Sequence, residues 1–456
     1  MVWNNLQKFF EAHGLDRTYW IAYSGGLDSH VLLHLCAQLR EFLPLKITAI
    51  HVNHQLSPHA SSWAVHTERV CRELQVSYIL RTIQLLPQRG VSPEALAREK
   101  RYQVFADCLG DGDMLLTAHQ QDDQAETVLL QLLRGAGPKG LSAMPVVKLF
   151  SPGWHGRPLL DFTREVLQHY AENVQLEWID DESNLDLAFS RNFLRHEVVP
   201  LLRQQWPAIT QALARVATNC AETQALLEQI GKEDLASVAS SHAACHSELS
   251  PTLSVQRLLQ LDPARQRLAL RTWLQQLGYP SPPSLKMQTL QRDILLAHWD
   301  SVPCLKWGKV ELRRYRDELH VMSVIVPLDS QARYMWDGNQ PLTLPGIGYL
   351  ITEKNKGQGI RRDAMMSVQF RQGGERVYVR GHHHSLKKLW QEWNVPSWLR
   401  SRLPLIYMND ELVAIPGFFM RQDYMARDEE TGLAIKLVFD DIPSDVAGSS
   451  SRGTTT

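Results

Sequence analysis

Between residues 18 and about 120, short apolar runs alternate with longer stretches of helical period. Tyr19, Trp20, Ile21, Ala22 and Tyr23 form the first run, and 45–52, 76–83 and 114–118 repeat it. Apolar positions three and four apart mark helices from His30 onward, over 61–74 and over 93–109. Strands that alternate with helices in this way predict a parallel sheet covered on both faces, with ligands at the carboxyl ends of its strands. Near Trp206 and Pro207 the texture changes: to about residue 299 the chain is rich in Ala, Leu, Gln and Arg at helical spacing, broken at 280–283 and 301–303. Short alternating runs return over 310–315, 320–326 and 349–352, and a basic segment begins near Val368. The expected architecture is an α/β, Rossmann-like parallel-sheet domain (1–205), a mainly helical domain (206–330) and a small α+β C-terminal domain (360–445).

Composition narrows the class. The chain has 456 residues, 44% apolar and 21% charged, as in ordinary globular proteins. A net charge of −1 means that any nucleic-acid binding must come from a local patch. Six cysteines without a CxxC pair argue against a disulfide framework or zinc ribbon, and no apolar run reaches membrane-spanning length, so the expectation is a cytoplasmic protein with no membrane partner. The Gly/Ser/Thr-rich end, 448–456, reads as a mobile tail.

Candidate chemistry begins where the first strand ends, at Ser24-Gly25-Gly26-Leu27-Asp28-Ser29. A strand, a glycine turn and a helix N-terminus make an anion site, because unpaired N–H groups converge there. A Walker loop would need Gly-Lys-Ser/Thr, and a dinucleotide turn a third glycine; neither is present. The hexamer resembles the pyrophosphate loop of N-type ATP pyrophosphatases. A second constellation, His119-Gln120-Gln121-Asp122-Asp123-Gln124-Ala125-Glu126-Thr127, follows the strand end at Thr117 and Ala118. On a helix His119, Asp122, Asp123 and Glu126 share one side, with Ala125, Val128, Leu129 and Leu132 opposite. Carboxylates there could hold Mg2+ on phosphates or grip an amine.

These motifs, with Arg134 through Met144, Arg157-Pro158-Leu159-Leu160, Asp181-Glu182-Ser183-Asn184, Arg191 through Arg195, Phe370 through Arg376, and Leu386 through Arg400, resemble the tRNA(Ile)-lysidine synthetases. The resemblance spans nearly the whole chain and is weakest between about 210 and 360. It implies a ligase that takes ATP, free L-lysine and a minor isoleucine tRNA with a CAU anticodon, adenylates the wobble cytidine and then displaces AMP with the lysine amine. No obligatory protein partner is implied. Carried over by position, Ser24, Gly25, Gly26, Leu27, Asp28, Ser29, His51 and Asn53 would bind ATP, with Asp28 and Asp123 on Mg2+. Asp28, Asp123, His119 and Arg98 would be catalytic, with Arg98, in the segment from Glu94 to Tyr102, on the target base. Glu126 and Asp122 would bind lysine, and Arg191, Arg195, Arg371, Lys387, Lys388 and Arg400 tRNA. Gln120 departs from the family, which often has His there.

The segment from Arg371 to Arg402 carries seven Lys/Arg against two Glu, with Trp390, Trp393 and Trp398 between them. Cations and flat rings suit RNA through phosphate contacts and stacking, although Trp390 reads as core. Two features are discounted as metal sites: His382, His383 and His384, expected on a surface loop, and His242, Cys245 and His246, which lack a fourth ligand. GMP and asparagine synthetases and the iron–sulfur thiolases would need a glutaminase domain, a terminal cysteine nucleophile or CxxC pairs that the chain lacks. The alternative of another class is a non-catalytic ATP-sensing RNA-binding module. It has little use for the acidic stripe.

Overall fold

The structure is a computed structural model that describes residues 2–55, 57–84, 93–150, 152–240, 251–361, 365–379 and 381–439. His242, Cys245, His246 and the tail at 448–456 lie outside the described residues. The chain divides into two compact units, 1–226 and 227–456.

The first unit begins with helix α1 (Val2–His13), followed by β1 (Thr18–Ala22), α2 (Leu27–Leu39), β2 (Lys46–Asn53), α3 (Ala60–Glu73), β3 (Ser77–Thr82), α4 (Pro93–Cys108), β4 (Met114–Leu116), α5 (Gln121–Leu133), α6 (Pro138–Leu141), β5 (Val147–Phe150), β6 (Gly153–Gly156) and α7 (Arg164–Asn173). Six strands form one sheet in the order β3-β2-β1-β4-β6-β5, parallel except where β5 runs against β6. The period-2 pattern explains the two covered faces. Tyr19, Ile21, Ile47, Ala49, Met114 and Leu116 join the core with α1, α2 and α7, whereas Ile50 and Leu115 meet Phe105 of α4 and Leu109 just after it on the other face. The run from Val31 to Leu39 is buried almost throughout, which explains why α2 reads as nearly continuous apolar sequence.

Two elements escape the sequence reading. Helix α1 buries Val2, Leu6, Phe9 and Phe10 although its remaining positions are polar, and the β5–β6 hairpin is too short and glycine-rich to show a period. β1 lies between β2 and β4, so the chain leaves its end toward one neighbour and re-enters the sheet on the other side. That switch point opens a crevice between the loops after β1 and β4.

In the second unit, helices of residues 255–295 pack on a four-stranded antiparallel sheet built from Leu253–Ser254, Cys304–Trp307, Val310–Tyr315 and Glu318–Ser323, around Trp273, Leu270, Leu312 and Leu319. The middle of the chain is therefore helical with a sheet at its end. A second core, around Trp390, Val413, Ile406 and Leu350, holds the C-terminal strands and the helix Leu386–Glu392. His382, His383 and His384, expected in a loop, form the strand His382–Ser385 paired with Arg376–Val379. Among the described residues no group of three or more His, Cys, Asp or Glu could hold a metal ion, and no helix is long and apolar enough to cross a membrane.

Candidate active site

The loop after β1 is held by its own serines. Ser29 Oγ donates to the Gly26 carbonyl (2.9 Å) and accepts from the Ser24 amide (3.3 Å), so at 3.0 Å it receives the Ser24 hydroxyl. Gly25 is required twice over. Its φ of +89° is left-handed, and a Cβ there would come within 2.6 Å of Ile179 Cδ1. Gly25 also accepts the Ile179 amide at 3.0 Å, which fastens the loop to the stretch before Asp181-Glu182-Ser183-Asn184. Gly26 caps α2 without a side chain, so the first amides of the helix are left for a ligand.

Asp28 stands in the first turn of α2, where the helix dipole favours a negative charge. Burial nevertheless pushes its carboxyl up to about 6, and the Asp123 charge adds to the rise against the pull of Arg164 and Arg195. Its Oδ1 is buried without a hydrogen-bond partner. A buried carboxylate oxygen without a donor, with a second carboxylate close by, suits a divalent cation with oxygen preference.

Asp123 reaches this position through helix capping. Gln120, fully buried, is the N-cap of α5: its Oε1 accepts the Asp122 amide (2.6 Å), and Asp123 Oδ2 accepts the Gln120 amide (3.1 Å). Residue 120 thus sets the start of the helix and the aim of Asp123. His119 precedes the helix, so the shared face belongs to Asp122, Asp123 and Glu126 alone. That face is not a solvated stripe. Glu126 is 2% exposed, whereas Leu132 on the supposed apolar side is 57% exposed.

The carboxylates of α5 are held by arginines from a segment about 70 residues later. Glu126 accepts Arg191 Nε at 3.0 Å, Arg195 Nε at 2.7 Å and Arg195 Nη2 at 3.1 Å. Arg195 Nη2 also reaches Asp123 Oδ1 at 2.8 Å, and Asp122 pairs with Arg203 and accepts the Arg164 amide. Burial pushes the Glu126 carboxyl up while Arg195 pulls it down. Arg191 and Arg195, expected on tRNA, are thus bound to carboxylates of α5, Glu126 by both and Asp123 by Arg195.

His51, almost fully buried, has Nδ1 on the Tyr23 carbonyl at 2.9 Å, and burial lowers its pKa. As a neutral ring that donates from Nδ1, it keeps Nε2 as an acceptor. Asn53 shapes the turn after β2, accepting the Gln55 amide at 2.8 Å and donating to Ala60 at 3.3 Å. Arg98 is exposed and lies 5.3 Å from the centre of the Tyr102 ring, one helical turn on. Sequence reasoning missed Thr117, Gln124 and His155. Gln124 exchanges two hydrogen bonds with the Met144 backbone (2.9 and 3.0 Å), which anchors the loop from Arg134 to Met144.

In the second unit Lys387 and Lys388 are exposed, Lys388 4.0 Å from Glu392. Arg400 donates to the Val395 carbonyl and the Tyr315 hydroxyl, a bracing role beside its expected one. Arg371 lies 3.8 Å from Glu375, which ties the loop amides of Gln372 and Gly373. Trp390 is core as expected, and Trp398 is core as well, which leaves only the partly buried Trp393 of the three rings as a candidate for stacking.

Comparison with known proteins follows the same order along the chain. The PP-loop domain model matches residues 2–202, the TilS substrate binding domain model residues 253–320, and the TilS substrate C-terminal domain model residues 366–437. A Coxiella burnetii protein described as tRNA(Ile)-lysidine synthase is 40% identical over 95% of this chain and 96% of its own. Proteins of that description from Shigella flexneri and Methylococcus capsulatus are 41% and 38% identical, over 91% and 88% of this chain and 95% and 91% of theirs.

Proposed function

The chain belongs to the tRNA(Ile)-lysidine synthase family, and from that premise we propose that it joins the side-chain amine of free L-lysine to the wobble cytidine of an isoleucine tRNA with a CAU anticodon. The observation that carries the catalytic reading is the apposition of Asp28 and Asp123 beside the phosphate-loop amides, at the switch point of the sheet.

A cytidine carbonyl oxygen is a poor leaving group, so the base must be activated before an amine can replace that oxygen. The oxygen attacks the α-phosphorus of ATP, pyrophosphate departs, and the lysine amine then displaces AMP and loses its proton. The loop and the start of α2 bind the ATP phosphates through backbone N–H groups, and His51 Nε2 accepts from the adenine amine. Asp28 and Asp123 would hold Mg2+, which when bound neutralises phosphate charge. Arg98 meets the target base from its Tyr102 platform, while His119 and the loop amides face charge that develops on the phosphoryl oxygens.

Glu126 and Asp122 take the lysine ammonium, which must displace Arg191 and Arg195 from Glu126 and Arg203 from Asp122. Lys387 and Lys388 contact tRNA phosphates away from the reacting base. The test is pyrophosphate release without lysine. It should require both ATP and the CAU tRNA; release that is indifferent to tRNA, or absent with it, would refute the reading.

A further inference from the structure

His155 lies at the end of β6, fully buried, and no part of the mechanism above uses it. Its ring is hydrogen-bonded on both sides. Arg157 Nη2 lies 3.2 Å from His155 Nδ1, and His155 Nε2 lies 2.8 Å from Thr117 Oγ1, which in turn is 2.6 Å from His119 Nδ1.

The direction of the first two bonds follows from the arginine, and that of the third from the need of the threonine hydrogen for an acceptor. A guanidinium only donates, so His155 Nδ1 must be the bare acceptor. A neutral ring then carries its proton on Nε2 and gives it to Thr117 Oγ1. A threonine oxygen can accept twice, but its own hydrogen finds an acceptor among the described contacts only if it is donated to His119 Nδ1. His119 is left with its proton on Nε2. The reverse chain would set a His155 N–H against an Arg157 N–H. Burial together with the charges of Arg157, Lys148 and Arg98 keeps the His155 ring neutral. The His155 ring also packs 5.7 Å from that of Tyr102, the residue on which Arg98 rests. One buried residue therefore adjoins the supports of both groups assigned to the reacting base and phosphate.

We propose that His155 is a positioning residue whose hydrogen-bond chain through Thr117 fixes His119 as the tautomer that donates from Nε2. The inference rests on the lysidine-forming reading for its kinetic consequence, whereas the tautomer itself does not depend on that reading. A neutral Nε2–H donor can stabilise charge on a phosphoryl oxygen without bringing a cation that competes with Mg2+.

The experiment uses the full chain with 15N-labelled histidine imidazoles, His119 being assigned through His119→Gln, alongside tRNA-dependent pyrophosphate release. Wild-type His119 should show a single Nε2–H tautomer, and Thr117→Val, which keeps the shape and removes the hydroxyl, should give a mixture. Thr117→Val and His155→Phe should lower kcat roughly 10- to 100-fold, the range typical when an outer partner of a metal-bound histidine is lost, with KM for ATP unchanged. His155→Gln should recover most of the rate, since its amide nitrogen can take the place of Nε2 and its oxygen can accept from Arg157. An Nδ1–H tautomer in the wild type, or wild-type kcat in a folded Thr117→Val protein, would overturn the proposal. If His155→Phe does not fold, the Thr117→Val kinetics and the wild-type spectrum decide. If the wild type releases no pyrophosphate with tRNA, the catalytic reading has failed, and the spectrum still decides the tautomer.

Discussion

Replacing Glu126 by Gln tests whether the buried carboxylate of α5 serves lysine or the fold. The wild-type group accepts three hydrogen bonds from Arg191 and Arg195, whose side chains are 26% and 24% exposed. Removing one partner of a fully buried pair costs about 3–5 kcal/mol, because the other charge is left uncompensated. Here the cost is smaller. The amide keeps one acceptor oxygen, Asp123 continues to hold Arg195 at 2.8 Å, and both arginines reach water. A loss of about 2 kcal/mol is expected, which lowers the first thermal transition by roughly 4–8 °C for a unit of this size. Below that transition, formation of the adenylated tRNA should be nearly normal, while the lysine concentration for half-maximal AMP release should rise at least about tenfold, as for a charge-assisted bond of 1.5–3 kcal/mol. Calorimetry and the two half-reactions measured separately provide the assay. Equal loss in both half-reactions of folded protein would place Glu126 with the metal or the scaffold, and an unchanged lysine dependence would remove it from the lysine site.

Asp28→Asn and Asp123→Asn should each reduce tRNA-dependent pyrophosphate release about a hundredfold or more, and near-normal release in either would exclude that residue from the chemistry. Lys387→Ala with Lys388→Ala should weaken tRNA binding and reduce the salt slope by about 0.7–0.9 per lost contact without affecting ATP binding; Arg400→Ala, by contrast, should lower the melting temperature because it frees the Val395 carbonyl and Tyr315. His155, held neutral and below its ordinary value, contributes stability that is present above about pH 6.5 and lost as pH falls, since the unfolded chain then binds the extra proton. His155→Phe should therefore flatten urea stability below that pH by up to about 1.4 kcal/mol per unit, and an unaltered slope would show that the ring is charged in the folded protein.

The local parts of the site were legible because they obey local rules. Strand, glycine turn and helix start announce the phosphate loop within a dozen residues, and helical spacing alone puts Asp122, Asp123 and Glu126 on one face. The same spacing misjudged His119, because the Gln120 cap starts the helix at Gln121, two residues later. It also misjudged the environment of Glu126. Its arginine partners lie 65 and 69 residues away along the chain, and no periodicity carries such pairing. His155 gave no signal at all, standing in a four-residue strand between glycines, and only the neighbouring Arg157 fell within a recognised motif. In the C-terminal segment charge was readable and so was the burial of Trp390, but that of Trp398 was not: Lys387 and Lys388 face water, whereas both rings fill the core.

Whether the chain forms lysidine is decided by incubating it in full with ATP, isotopically labelled lysine and the CAU isoleucine tRNA, and then digesting the tRNA to nucleosides for mass spectrometry. Label should appear on the wobble cytidine alone, one AMP should be released for each lysine transferred, and an Asp123→Asn chain should transfer none. ATP binding or hydrolysis without label on that cytidine would contradict the account.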